Sequence, residues 1–155
     1  MQKHMPSETN IAQTLHDELD APKGGFVFFA RFALVLPGAE PAQPDLLYAH
    51  ASDRAIFQHG RVQGIPALLV EISSPATADL DSTTKRAIYA GAGVPEYWIF
   101  RPATRDALVL SDPDPLRREY RSEVLVSADG ELISPTLPLR SPVARFFADA
   151  PDTTL

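Results

Sequence analysis

The chain has no cysteine among its 155 residues. Disulfides, cysteine-ligated zinc, iron–sulfur clusters and a thiol nucleophile are therefore excluded, and the absence is typical of a protein from a reducing cytoplasm. Residues 1–10 are polar and lack the apolar stretch of a signal peptide. No apolar run approaches the roughly 18 residues that span a bilayer. We expect a soluble, cytoplasmic protein.

Lysine is also scarce, since only Lys3, Lys23 and Lys85 are present, and the formal net charge is −6. Non-specific affinity for nucleic acid comes from neutralising phosphates with Lys and Arg. The acidic balance therefore argues against a surface that holds nucleic acid by charge alone, although nucleic acid is not excluded as a substrate. A lysine close to an active site would stand out in such a chain.

The size and composition, with 45% hydrophobic and 22% charged residues, predict a single domain over residues 1–155. A first helix is indicated by Ile11, Leu15 and Leu19 at helical spacing, with Ser7 or Thr9 as its cap. The later elements follow in this order: a central strand over 26–36, a short strand over 45–49, a loop over 52–64, a strand over 67–73, a helix over 79–92, a strand over 97–100, an antiparallel pair over 107–110 and 119–126 joined by a turn at 112–115, a short strand around Leu132, and a helical turn over 143–147. This order predicts an α/β chain with a mixed sheet, in which the helix over 79–92 crosses between two parallel strands.

Glu71 is the most unusual residue of the chain, because it interrupts the apolar run 67–72 that otherwise predicts a buried strand. Buried carboxylates are paired, neutralised or bound to a cation, since an unpartnered one costs several kcal/mol. Asp45 begins the preceding predicted strand, and Lys85 lies in the following helix. If the strands pair, the two carboxylates and a backbone carbonyl form an oxygen site suited to Mg²⁺ or Mn²⁺. A nearby ammonium can orient an attacking water and offset phosphate charge.

Each of these residues also has a purely structural interpretation. Asp45 can simply begin a strand after Pro44, and Glu71 can form a buried structural salt bridge with Lys85 itself. Asp81 and Lys85 are four residues apart on a helix and can form an exposed pair worth about 0.3–0.5 kcal/mol. The ion-pair interpretation and the catalytic interpretation of Glu71 therefore predict the same contacts.

Other conspicuous side chains are expected to be structural. Tyr89, Tyr97 and Trp98 fit the core better than a base-stacking surface, and the four histidines show no metal-ligand spacing. The basic group around Tyr120 is expected to be a solvated hairpin face; it consists of Arg117, Arg118 and Arg121.

Several motifs taken together closely resemble the Uma-two family, which looks like part of the PD-(D/E)XK restriction-endonuclease-like superfamily. These motifs are Pro44-Asp45, Val70-Glu71-Ile72-Ser73-Ser74-Pro75-Ala76-Thr77, Asp81, Lys85, Tyr89, Gly93-Val94-Pro95-Glu96-Tyr97-Trp98-Ile99, and the tail stretches 134–139 and 143–147. The resemblance covers roughly residues 44–147. It implies a restriction-endonuclease-like fold, a central mixed sheet flanked by helices, and a metal-dependent endonuclease that hydrolyses DNA with Mg²⁺ or Mn²⁺.

By this resemblance, Asp45 and Glu71 are metal ligands, the carbonyl of Ile72 is a third ligand, and Lys85 completes the catalytic set. The superfamily usually places its lysine two residues after the glutamate, where this chain has Ser73. The resemblance therefore implies that the lysine has migrated to the following helix.

The chain departs from the family pattern at two further points. Arg101 stands where the family has an aspartate after the third strand. An acid contributed by the first helix is not assigned by the resemblance, and Glu8, Asp17 and Glu18 are all candidates.

A rival interpretation is a catalytically inactive homologue that uses the same sheet as a binding or oligomerisation module. The acidic charge and the serine at position 73 favour it. A phosphatase or another hydrolase of small phosphates ranks lowest, because no motif points to it. DNA is the expected substrate, and a homodimer through the apolar hairpin surfaces after Ala107 is a further expectation.

Overall fold

A six-stranded mixed sheet dominates the computed structural model, which describes residues 6–20, 26–29, 34–36, 44–50, 57–58, 61–74 and 80–147. The helices are α1 (Pro6–Leu15, continued by the π-helical turn His16–Asp20), α2 (Arg86–Ala92, preceded by the π-helical segment Leu80–Lys85) and α3 (Val143–Phe146). The strands are β1 (Phe26–Phe29), β2 (Leu34–Val35), β3 (Leu46–Ala49), β4 (Phe57–Gln58), β5 (Arg61–Gln63), β6 (Leu68–Ile72), β7 (Glu96–Arg101), β8 (Asp106–Asp114), β9 (Glu119–Val126), β10 (Glu131–Ile133) and β11 (Arg140–Pro142). Among these ranges, no helix is long and apolar enough to cross a membrane.

The main sheet has the strand order β1-β3-β6-β7-β8-β9. Strands β6 and β7 are parallel, and the other neighbours are antiparallel. Two parallel strands need a crossover connection. The π-helical segment and α2 provide it, which confirms the predicted helix between the strand that carries Glu71 and the strand that carries Trp98.

The two faces of the sheet are covered by different helices, because successive side chains of a strand point to opposite faces. One face packs against α1 and α3, and its buried side chains include Ile11, Leu15, Val70, Trp98, Phe100 and Phe146. The other face packs against α2, and its buried side chains include Leu69, Tyr89, Tyr97, Ile99 and Leu110. Glu71 follows Leu69 by two residues and therefore lies on the α2 face.

The predicted apolar stripe of the first helix is confirmed, because Ile11, Leu15 and Leu19 are all fully buried. The predicted cap is wrong, because the helix begins at Pro6 and both Ser7 and Thr9 lie inside it. Proline suits the first turn of a helix, where its fixed φ is already helical and its missing N–H has no partner to lose.

The predicted central strand over 26–36 is wrong. Strand β1 lies at the end of the main sheet and pairs with β3, whereas β2 belongs to a separate three-stranded sheet with β5 and β4. The apolar run is longer than the 5–6 residues or so of a common strand, so it is long enough to supply two strands. Arg31, the polar residue inside the run, lies outside the described residues.

Two hairpins also differ from the predictions. The predicted loop over 52–64 contains β4 and β5, which pair as a short antiparallel hairpin. The predicted turn at 112–115 falls inside β8 up to Asp114, so the turn lies at 115–118 instead. Pro113 is tolerated there because β7 pairs with β8 only as far as Ser111, and a missing N–H beyond that point breaks no bond to β7. The remaining predicted elements, at 45–49, 67–73, 79–92, 97–100, Leu132 and 143–147, are confirmed within one or two residues.

Candidate active site

Glu71 lies near the carboxyl end of β6 and is 2% exposed. The Nζ atom of Lys85 is 3.1 Å from its Oε1 atom. The hydroxyl of Tyr89 donates a hydrogen bond to the same oxygen at 3.0 Å. The acid that the sequence predicts to need a partner therefore has a cation and a neutral donor on one oxygen.

The chain after β6 positions both donors. The π-helical segment ends at Lys85, and α2 carries Tyr89 four residues later, which puts both side chains on one face of the helical stretch. The lysine side chain is 20% exposed, so its stem runs from the surface to the buried acid. Gly93, with φ 81° in the left-handed region, ends α2 and returns the chain to β7.

Asp45 immediately precedes β3 and bonds to β6 on both sides of Glu71. Its backbone N–H donates to the carbonyl of Val70 at 3.1 Å, and its Oδ2 atom accepts the N–H of Ile72 at 2.6 Å. The structure therefore brings the two predicted carboxylates to one point of the sheet. In a strand, the N–H and C=O of one residue point to the same side, so the carbonyl of Ile72 is directed toward the Asp45 side of β6.

This donor set fits a hard divalent cation. Mg²⁺ commonly binds one or two carboxylates and keeps several waters, and a carboxylate offers about four lone-pair sites. The bonds from Lys85 and Tyr89 both use Oε1 of Glu71. Within the described ranges, no group of three or more His, Asp or Glu side chains is arranged to hold a metal. A cation at this point would therefore rely on Asp45, Glu71, a backbone carbonyl and water.

Ser73 occupies the position where the superfamily usually has its lysine, and it is 7% exposed. It lines a cavity of about 400 Å³ beside the candidate site. The other lining residues are Ser82, Ile99, Arg101, Leu108, Glu123 and Leu125. A small side chain at position 73 thus borders an open space on the α2 face of the sheet.

Arg101 is the residue that departs from the family pattern. It forms a bidentate salt bridge with Asp106 between the paired strands β7 and β8. Its Nε and Nη2 atoms donate to the two carboxylate oxygens, each at 2.7 Å. Burial alone would raise the pKa of Asp106, but hydrogen bonds from Arg101 and Thr104, with the charge of Arg101, hold that pKa below its ordinary value. The hydrogen bond to Asp106 likewise raises the pKa of Arg101. The arginine therefore clamps a hairpin next to the cavity.

Two acids at the end of the first helix, Asp17 and Glu18, contact Arg145 of α3. Arg145 pairs with Glu18, and its Nη2 atom is 3.7 Å from Oδ2 of Asp17. The side chains of Glu8 and Asp81 lie outside the described residues, so the predicted pair of Asp81 and Lys85 is not described. Lys85 contacts Glu71 instead of serving only as an exposed surface residue.

Several expected structural residues have the expected surroundings. Tyr89, Tyr97 and Trp98 are fully buried, as predicted for core residues. The hairpin arginines are partly paired, since Arg117 contacts Asp114 and Arg121 contacts both Asp112 and Asp114. Of the histidines, His16 lies near Asp17 and the ring of His50 packs against Tyr48, whereas His4 and His59 lie outside the described residues.

A second buried acid, Glu96, is 0% exposed and was not predicted from the sequence. Its carboxylate accepts hydrogen bonds from the indole of Trp98 at 2.8 Å, from the hydroxyl of Ser134 at 2.6 Å, and from both the backbone N–H and the hydroxyl of Thr136. Trp98 gives a local signal, two residues away on the same face of β7. The other donors are remote in sequence, so no local pattern predicts them.

The hydroxyl of Tyr89 was also not predicted as a partner of Glu71. Its spacing of four residues from Lys85 places both side chains on one helix face and could have indicated this contact.

Comparison with known proteins supports the family assignment. The family model of Uma2, described as "Putative restriction endonuclease", matches residues 2–144. A crystal structure described as a putative nuclease belonging to DUF820, from Anabaena variabilis ATCC 29413, is similar with a TM-score of 0.71 and 16% sequence identity. That likeness covers 96% of this chain and 85% of the other. No curated protein matches the chain.

The structural likeness confirms the predicted fold, a mixed sheet flanked by helices. The family model, which covers residues 2–144, shows that the chain belongs to the Uma2 family, described as "Putative restriction endonuclease" and named Uma-two above.

Proposed function

We propose that this protein is an endonuclease that hydrolyses phosphodiester bonds in DNA with Mg²⁺ or Mn²⁺. The observation that carries the proposal is the convergence of Asp45, Glu71 and Lys85 at one point of the sheet. Family membership and the nuclease-like fold support a nuclease in general. The metal, the DNA substrate and the roles of the individual residues are the proposal.

In this proposal, Asp45, Glu71 and the carbonyl of Ile72 hold the cation. A bound cation of this kind lowers the pKa of its water and offsets charge on the phosphate. Lys85 holds the attacking water and the phosphate in line through its ammonium group. The water oxygen bonds to phosphorus as the bond from phosphorus to the leaving oxygen breaks. The attacking water passes a proton to solvent, and the leaving oxygen gains one from solvent.

Tyr89 acts as a positioning residue. Its ring packs edge-to-face on Tyr97, with 4.9 Å between centroids, and its hydroxyl fixes Oε1 of Glu71. Groups that orient a metal ligand commonly change metal affinity by about 10- to 100-fold when they are removed. The hydroxyl therefore sets the direction in which the glutamate presents its carboxylate.

The second candidate function is an inactive nuclease-fold homologue that serves as a binding or oligomerisation module. The contact between Lys85 and Glu71 favours this second function, because a buried ion pair satisfies both charged groups without a metal. Ser73, at the usual lysine position, points the same way. The two functions share the same contacts and differ in what the contacts do.

Plasmid cleavage tests the proposal. We expect supercoiled DNA to be nicked or cut in MgCl₂ or MnCl₂, and we expect Asp45→Asn, Glu71→Gln and Lys85→Met each to lower the cleavage rate by about 100-fold or more. Glu131→Gln is the matched control, because Glu131 is an exposed acid on β10 that pairs with Arg140. Cleavage that persists undiminished in all three site variants contradicts the proposal. DNA binding without cleavage, unchanged in all three, supports the inactive module.

We further propose a homodimer that uses the apolar surface of the β8–β9 hairpin. Leu116, at the turn of this hairpin, is 97% exposed. Packing of this side chain against a second copy of the chain would remove its apolar surface from water. Analytical ultracentrifugation is expected to show dimers at micromolar concentration, and a monomer at every concentration would remove this proposal.

A further inference from the structure

A row of side chains leads from Glu71 across the sheet on the α2 face. Glu71 is paired with Ile99 on β7, Ile99 with Leu108 on β8, and Leu108 with Leu125 on β9. Residues directly opposite each other in paired strands share one face of the sheet. Since neighbouring strands lie about 4.8 Å apart, this row extends about 14 Å from the candidate acid.

These three apolar side chains form the floor of the cavity beside the site. Its volume of about 400 Å³ falls within the range of small-molecule pockets, about 300–1,000 Å³. The hydroxyls of Ser73 and Ser82 lie on its lining and can both donate and accept hydrogen bonds. The cavity thus combines an apolar floor with a few polar groups, as a site for a planar heterocycle requires.

The charged residues on the lining are already in ion pairs. Arg101 is bound by Asp106 through two hydrogen bonds, and Glu123 accepts hydrogen bonds from Arg86 at 3.1 and 3.3 Å. A phosphate is held best by a net cationic surface. A neutral nucleobase suits this balanced lining better than a phosphate does.

We propose that the cavity holds one unpaired nucleobase of the strand whose phosphate lies at Glu71 and Lys85. This inference rests on the proposed function, because it takes that site as the place of the phosphate. Enzymes that do chemistry on a nucleobase hold the extruded base between apolar or aromatic side chains and read its edge with hydrogen bonds, so a lining of this kind suits a base. The protein is therefore expected to prefer single-stranded DNA, or DNA with an extruded nucleotide, over continuous duplex.

The test uses two neighbouring residues of β9. Leu125 lines the cavity and is 58% exposed, whereas Val124 points to the opposite face and is 51% exposed. Leu125→Asp and Val124→Asp introduce the same charge one residue apart, and neither removes a fully buried side chain. Binding of a short fluorescein-labelled single-stranded oligodeoxynucleotide is measured by anisotropy in CaCl₂, which replaces magnesium to limit cleavage.

Leu125→Asp is expected to weaken oligonucleotide binding about tenfold or more, because it places a charge where the base would pack, and Val124→Asp is expected to stay within about twofold of wild type. An abasic residue at one position of the oligonucleotide should weaken wild-type binding similarly and should cost Leu125→Asp little more. Equal weakening in both variants, no change in Leu125→Asp, or no oligonucleotide binding by wild type overturns the inference.

Manganese titration separates this inference from the proposed function. Leu125→Asp is expected to bind Mn²⁺ like wild type, because the substitution lies two strands beyond β7 and away from the carboxylates. If Mn²⁺ binding and cleavage depend on Glu71 while the two β9 variants bind oligonucleotide equally, the cavity inference fails and the proposed function stands. If the β9 variants differ as expected but no cleavage occurs, the proposed function fails instead.

Discussion

Two buried glutamates lie on neighbouring strands of the same sheet and on opposite faces. Glu71 on β6 is 2% exposed and Glu96 on β7 is 0% exposed. The donors to Glu96 are an indole, hydroxyls and a backbone N–H, all without formal charge. Glu71 instead contacts the ammonium of Lys85, whose stem reaches the surface.

This difference shows that burial of an acid does not by itself mark an active site. Neutral donors around Glu96 stabilise its charge and join the stretch 134–137 to β7, which is a structural task. The Lys85 ammonium beside Glu71, with Asp45 bonded to the adjacent residue Ile72, leaves an arrangement that can also accept a metal and a phosphate. The type of partner separates the two acids better than their exposure does.

The largest expected effect concerns stability at Glu96. Glu96→Ala should lower the free energy of unfolding by about 3–5 kcal/mol, because it leaves the buried donors of Trp98, Ser134 and Thr136 without their acceptor. Urea unfolding monitored by Trp98 fluorescence measures the change. A loss below about 1 kcal/mol would show that the donors find other partners and would remove the structural role assigned to Glu96.

The next effect concerns activity at Glu71. Glu71→Gln should lower the rate of DNA cleavage by about 100- to 1,000-fold, because the amide cannot stabilise the cation and the charge that develops on the phosphate. Initial rates on supercoiled plasmid measure this loss. Glu96→Gln is the matched comparison, and its folded protein should cut at the wild-type rate. Equal losses in the two variants would erase the distinction between the acids.

A smaller effect is expected at Tyr89, which acts through Glu71. Tyr89→Phe keeps the buried ring and removes only the hydroxyl that contacts Oε1. Affinity for Mn²⁺ should fall about tenfold, as calorimetric titration would report. A purely structural hydroxyl would leave the Mn²⁺ affinity unchanged and alter only the thermal unfolding temperature.

The smallest effect is pH dependence at the hairpin clamp. Because the folded pKa of Asp106 is below its ordinary value of 3.8, the ion pair with Arg101 contributes stability above that pH and loses it as pH falls through the folded pKa. The contribution should be no more than about 1 kcal/mol, since Arg101 is 44% exposed. Urea unfolding of wild type and Asp106→Asn should differ at pH 7, and the difference should shrink as pH falls below 3.8, the ordinary pKa of the carboxyl. A difference that persists undiminished at low pH would rule out the ion pair as its source.

The sequence predicts the Glu71 site because its signals are local. An acid inside an apolar run, a scarce lysine on the next helix and an acid at the start of the preceding strand all lie within short stretches of chain. Their convergence then follows from ordinary strand pairing. The family resemblance adds the expected roles of Asp45, Glu71, Ile72 and Lys85, which stay predictions.

Glu96 escaped prediction because two of its partners, Ser134 and Thr136, are 38 and 40 residues away. Only tertiary packing brings them together. The prediction of one central strand over 26–36 was wrong for a related reason. Apolar residues on both faces of a strand do not show where the chain leaves one sheet and enters another. The short β4–β5 hairpin lies in a polar stretch, where alternation is too brief to separate strand from loop.

The central claim is that Glu71, and not Glu96, is a metal ligand. Calorimetric titration of Mn²⁺ into wild type, Glu71→Ala and Glu96→Gln tests this claim most directly. Each protein is titrated both with and without a short DNA duplex. The account predicts binding in wild type and Glu96→Gln and none in Glu71→Ala. Undiminished binding in Glu71→Ala, or no binding by wild type even with DNA, would contradict it and favour the inactive module.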